Sequence, residues 1–170
     1  MTLQKLFKFP WVSAVCGVLC LSSCGNGCEE TRETFCVASL YAETGLSIST
    51  LYAWGIGQQR VADTSSATGY SDSLMLEVSS PEQLEFILQP DTTVTRIRLQ
   101  MTVTGDSTYQ VEDTLTIRYD ARPVFLNMDC GCTVFFTIRE VNTTGHLLLG
   151  TSIEKAEITN TEDVNISLLY

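Results

Sequence analysis

The chain has 170 residues, 44% of them hydrophobic and 18% charged, with a formal net charge of −10. That length suits one domain with a single core. Twenty Asp and Glu against ten Lys and Arg exclude a nucleic-acid partner, because phosphate binding needs clustered cations that this surface lacks.

Lys5 and Lys8 open the chain as a positive n-region, and residues 9–22 are an almost uncharged apolar run. The run is shorter than the roughly 20 apolar residues a membrane span needs, and it ends in the small residues a signal peptidase requires. Leu21-Ser22-Ser23-Cys24 resembles a bacterial lipobox, in which Cys24 takes a diacylglyceryl thioether and, after cleavage, an N-acyl chain. Residues 1–23 are therefore expected to be a lipoprotein signal peptide, and the mature chain to be tethered by lipid at Cys24. Loss of Lys5 and Lys8 moves the formal charge from −10 to −12. Such an acidic surface keeps a tethered domain soluble and lifted off an anionic leaflet.

Cys16 and Cys20 leave with the signal and lipid consumes Cys24, so Cys28, Cys36, Cys130 and Cys132 remain of the seven cysteines. An even number in an oxidising compartment predicts two disulfides, with three connectivities open. Residues 24–34, with Glu29, Glu30 and Glu33, read as a polar tether. The folded domain is expected over residues 35–170.

Strands are predicted near 36–42, 48–56, 73–78 and 84–89, although 82–88 after Pro81 leaves a short helix open. Residues 94–104 alternate most clearly: Ile97, Leu99, Met101 and Val103 fall on one face, and Arg96, Arg98, Gln100 and Thr102 on the other. Period two predicts a half-buried strand. Gly105-Asp106-Ser107 then turns the chain into the alternating Leu115, Ile117 and Tyr119, a hairpin. Further strands are predicted at 123–128, 132–141, 152–159 and 164–170. Many short strands with polar turns predict an all-β fold, a single antiparallel β-sandwich, immunoglobulin-like or related, of about 8–10 strands.

Asp129-Cys130-Gly131-Cys132 is the sharpest local motif. Strand alternation through it puts Cys130 and Cys132 on the apolar side with Val134, Phe136 and Ile138, facing the core. Both sulfurs are then expected to meet the N-terminal pair, Cys28 with Cys130 and Cys36 with Cys132 being preferred. Each bond would close a loop of roughly 100 residues, about 4.7 kcal/mol in the chain-entropy account. A redox dithiol is the weaker reading because Asp129 opposes the thiolate. Zinc is weaker too, since Cys-x7-Cys with Cys-x-Cys is not a usual finger spacing.

His146 is the single histidine and sits after Gly145, which suits a turn or hydrogen-bonding role. Without a second His or a Gly-x-Ser-x-Gly elbow, no catalytic residues, metal site or cofactor are nominated. Tyr41, Tyr52, Trp54 and Tyr70 are candidates for a sugar platform, but Tyr52, Trp54 and Ile56 share a strand face and read better as core. Gly55-Ile56-Gly57 reads as a turn that ends its strand. Asp72-Ser73, Asp91-Thr92, Asp106-Ser107 and Asp113-Thr114 resemble the O-glycosylation sequon of exported Bacteroidetes proteins, making Ser73, Thr92, Ser107 and Thr114 candidate acceptors. The same pairs also favour turns and strand starts.

The lipobox, the early cysteine pair, Leu51-Tyr52-Ala53-Trp54-Gly55-Ile56-Gly57, Asp113 to Tyr119 and above all Asp129-Cys130-Gly131-Cys132-Thr133-Val134-Phe135-Phe136-Thr137-Ile138 resemble an uncharacterised Bacteroidetes lipoprotein family, domain of unknown function 6452. Thr144-Gly145-His146 and the stretch from Ala156 to Tyr170 fit its C-terminal pattern. The resemblance implies a small β-rich envelope lipoprotein without assigned catalytic residues, encoded beside an outer-membrane β-barrel protein. Glu29 and Glu30 come later than the acidic run that directs surface export in that phylum, so the periplasmic face and the cell surface both stay open. The expected function is a non-enzymatic accessory or interaction subunit of the outer membrane, partnered by a β-barrel protein. The alternative is a surface module binding a small molecule or glycan.

Overall fold

The computed structural model describes residues 33–43, 45–60 and 70–170. The described residues form ten strands: β1 (Phe35–Tyr41), β2 (Ser47–Arg60), β3 (Tyr70–Ser79), β4 (Gln83–Ile87), β5 (Val94–Thr104), β6 (Thr108–Asn127), β7 (Gly131–Thr143), β8 (Gly150–Ile153), β9 (Glu157–Ile158) and β10 (Val164–Leu169). They build a β-sandwich of two sheets, β4-β1-β10-β8 and β3-β2-β5-β6-β7-β9.

The core follows the alternation. Ile97, Leu99, Met101 and Val103 of β5 are fully buried, as are Leu115 and Ile117 of β6, and they meet Leu84 and Phe86 of β4 and Ile166 and Leu168 of β10. Each such side chain contributes about 1.5–3 kcal/mol when buried. Residues 83–87 are the strand β4, so the short helix left open after Pro81 does not form.

Three departures from the sequence expectation have local causes. The strands expected at 114–119 and 123–128 are one, because β6 runs through Pro123. Its pairing with β5 ends at Arg118, so Pro123 pairs with Val134 of β7 on one side, and no described strand pairs with its other side. A proline lacks the N–H that a strand on that side would use. The stretch 152–159 splits between sheets, β8 pairing with β10 and β9 with β7. The sandwich is also not wholly antiparallel, since β1 and β10 pair in parallel.

Bulges decide which residues face inward. Register shifts at Ser49 and Arg139 let Ile48 and Leu51, and likewise Ile138 and Val141, point to the core although each pair is three residues apart. Gly57, at φ 64°, lies inside an irregular stretch of β2 rather than in a turn that ends it, and its N–H donates to Asp72 Oδ1 at 3.1 Å.

Three buried polar groups tie loops to this frame. The Tyr119 hydroxyl lies 2.8 Å from Thr95 Oγ1, donates to the Gln89 carbonyl at 2.9 Å and accepts from the Gln89 N–H at 3.2 Å, fixing the β4–β5 connection. Asn165 stands at the register shift between β1 and β10; its Oδ1 accepts from Val37 N–H at 3.0 Å and its Nδ2 donates to the carbonyls of Lys155 and Glu157. Asp113 is 1% exposed and caps the β7–β8 loop.

Candidate functional site

Of the two expected staples, the bond between Cys36 and Cys132 does not form. Cys36 lies on β1 opposite Phe86, fully buried and free, and burial pushes its thiol up to about 12. Cys132 is also free, and exposed. It pairs across the strand with Phe125 where β6 and β7 run as a two-stranded ribbon past the end of β5, so its place in the alternation does not put it in the core. Cys130 is disulfide-bonded and buried in the turn before Gly131, and its partner is not among the described residues. Cys24 and Cys28 lie outside the described residues.

The candidate glycan acceptors are dispersed. Ser107 is exposed in the β5–β6 turn, whereas Ser73, Thr92 and Thr114 are half-buried. Thr92 Oγ1 donates to the Val94 carbonyl and lies 3.0 Å from the Tyr119 hydroxyl. Beside Thr114, Asp113 serves the fold: its carboxylate accepts from Thr144 Oγ1 at 2.6 Å and from the N–H groups of His146, Leu147 and Leu148 at 2.8, 2.7 and 2.9 Å. Burial raises its pKa, the four donors lower it, and the donors win, leaving it below the ordinary carboxylate range. His146 Nδ1 lies 2.9 Å from the Glu112 carbonyl and 3.2 Å from Asp113 Oδ1, so Nδ1 carries the proton while the exposed ring projects outward. His146 thus sits in the β7–β8 loop with its ring hydrogen-bonded to the β6 backbone, as a turn and hydrogen-bonding residue would.

The aromatic residues are placed differently from the core reading. On β2, Leu51, Ala53 and Gly55 are buried, while Tyr52 and Trp54 are half-exposed and Ile56 is exposed on the outer face of the large sheet. The bulge at Ser49 sets this phase. Tyr52 stands between Glu77 of β3 and Gln100 of β5; its hydrogen bond to Glu77 holds the phenol above its ordinary pKa. Trp54 stands between Leu74 and Arg98; the guanidinium carbon lies 5.8 Å from the ring centroid and Nη2 lies 3.4 Å from Asp72 Oδ2. Tyr41, at the end of β1, belongs to the other sheet, so it does not extend this platform.

From Trp54 the surface continues over Leu74, 48% exposed, onto the outer edge of β3. There a groove of about 460 Å³ opens between β3 and β4, lined by Leu74, Met75, Leu76, Glu85 and Ile87. Among the described residues β3 and β4 are each the last strand of their sheet, and no described strand pairs with their outer edges. Ile87 is 61% exposed at the rim. Sequence reasoning missed this site, because alternation marks Leu74 and Ile87 as apolar strand residues without saying which strands end a sheet.

No curated protein and no solved structure matches the chain. A family match covers residues 63–170, from before β3 to the end of β10, and includes the Cys-Gly-Cys turn, Asp113, His146 and the groove-forming edges, but not Cys24, Cys28, Cys36 or Trp54. On that match, the chain belongs to the family of unknown function DUF6452.

Proposed function

We propose that this chain is a lipid-anchored, non-enzymatic accessory or interaction subunit of the outer membrane, acylated at Cys24 and docked beside a β-barrel protein. One observation carries the interaction role: the exposed apolar surface running from Trp54 over Leu74 to Ile87 along two sheet edges that no described strand covers. Edges of this kind accept a partner's backbone, and the apolar side chains supply the driving force. Asp113, whose oxygens are committed to the β7–β8 loop, supports a structural rather than catalytic reading of its contact with His146.

Crosslinking in whole cells, followed by purification in mild detergent, tests the proposal. A stoichiometric β-barrel partner that is lost in a Leu74→Ser/Ile87→Ser variant is the expected result. Recovery of the protein alone would sink it. The anchor has its own test: Cys24→Ser should move the protein from the membrane fraction to the soluble periplasm.

A second reading, a glycan- or small-molecule-binding module, is favoured by Trp54 and Tyr52 lying on an open sheet face beside Arg98, Gln100 and Glu77. An aromatic ring flanked by hydrogen-bonding groups suits a sugar face. Saccharide retention that disappears in Trp54→Ala would put this reading first.

A further inference from the structure

We infer that the free end of the β6–β7 ribbon is a membrane-contact surface, with Phe125 and Met128 resting among the headgroups and outer acyl chains of the bilayer that holds the lipid anchor. The inference rests on the Cys24 anchor proposed above. Met128 is 90% exposed and Phe125 58% exposed, the largest exposure of an apolar side chain among the described residues being that of Met128. The turn that presents them is fixed: Asn127 Oδ1 accepts from the N–H groups of Asp129 and Cys130 at 3.0 and 2.7 Å, and Gly131 takes φ 73°. Met128 is thus held outward by a hydrogen-bonded turn.

The route of the chain sets which end meets the membrane. Thr34 Oγ1 donates to the Val134 carbonyl at 3.0 Å, so the start of the described chain lies beside the ribbon, three residues along β7 from its first residue, Gly131. Nine residue steps separate Cys24 from Glu33, a reach of roughly 30 Å when fully extended. The opposite turn, at Ser107, lies across the twenty residues of β6, roughly 65 Å away along the strand.

Charge favours a lipid surface over other occupants. Between Ala121 and Cys132 the charged residues are Arg122 and Asp129, which offset each other in a chain of net charge −10. An anionic leaflet repels the tip of the ribbon less than the rest of the domain, Glu33 beside Val134 included. Apolar side chains at a neutral tip then enter the interface while the acidic body stays in water.

The test uses the full-length acylated protein in vesicles of phosphatidylethanolamine and phosphatidylglycerol, with Cys132→Ser as background. An environment-sensitive fluorophore is placed on Met128→Cys, on Phe125→Cys as a second reporter, or on Ser107→Cys as the distal control. The expected result is a blue shift at 128 and 125, with loss of emission when lipids carrying nitroxide quenchers are included, and neither effect at 107. Equal access of aqueous iodide to all three labels on vesicle-bound protein would overturn the inference and leave the anchor intact. Shielding of 128 from both iodide and lipid quencher would assign the surface to a protein contact and also overturn it. Protein that fails to float with the vesicles removes the anchor, and the inference with it.

Discussion

Asp113→Ala tests whether one buried carboxylate holds the β7–β8 loop. The substitution deprives Leu147 and Leu148 of the acceptor for their N–H groups; both residues are buried, at 7% and 0% exposure, so water does not replace the carboxylate readily. An unsatisfied buried donor costs about 1–3 kcal/mol, so two cost about 4 kcal/mol. The N–H of His146 and the Thr144 hydroxyl sit at exposed residues and recover solvent partners. In urea, with a slope of about 2 kcal/mol per molar, the midpoint should fall by about 2 M. Asp113→Asn keeps one acceptor oxygen and turns an amide towards the remaining donors, so about half that loss is expected. The pH dependence has a definite sign. Asp113 has a folded pKa below its ordinary value of about 3.9, so the unfolded chain binds the proton first and this stabilisation is present above that value. It is lost as pH falls through the folded pKa, and the loss should be absent from Asp113→Asn. A midpoint shift below about 0.5 M for Asp113→Ala would refute the account.

Tyr119→Phe keeps the edge-to-face packing on Phe136 but removes the hydroxyl bonded to Thr95 and Gln89, and should cost about 2 kcal/mol with faster amide exchange at Gln89. Asn165→Ala should cost about 3 kcal/mol in thermal or urea unfolding, since it strands the buried Val37 N–H and frees the carbonyls of Lys155 and Glu157; a near-neutral effect would mean water fills the gap. Maleimide on the native protein should label Cys132 and spare Cys36, whose thiol is buried and held near 12; labelling of Cys36 first would contradict its burial. His146→Ala should leave partner recovery unchanged, and a folded variant that loses function completely would return an enzyme to consideration.

Much of the fold was legible because strand periodicity is local. Ile97, Leu99, Met101 and Val103 announce their burial by spacing alone, and Gly105-Asp106-Ser107 announces the turn, so the all-β class and most strand positions follow from neighbouring residues. Bulges were not legible. Ser49 shifts the phase of β2 and turns Trp54 outward, and nothing near Ser49 in sequence signals it, because a bulge is a property of two paired strands. Partners distant in sequence escaped for the same reason: Asp113 meets residues 31 to 35 positions away, and Asn165 meets Val37 across 128. The cysteines illustrate both halves. Sequence alone put Cys132 on a strand, but its alternation also placed Cys130 there, where the chain is still in the turn before Gly131. Tertiary structure decided that β6 and β7 leave the sheet there as a ribbon, which exposes Cys132 while Cys36 stays sealed in the core. Pattern along a chain determines which residues seek burial, and pairing between distant strands determines which of them obtain it.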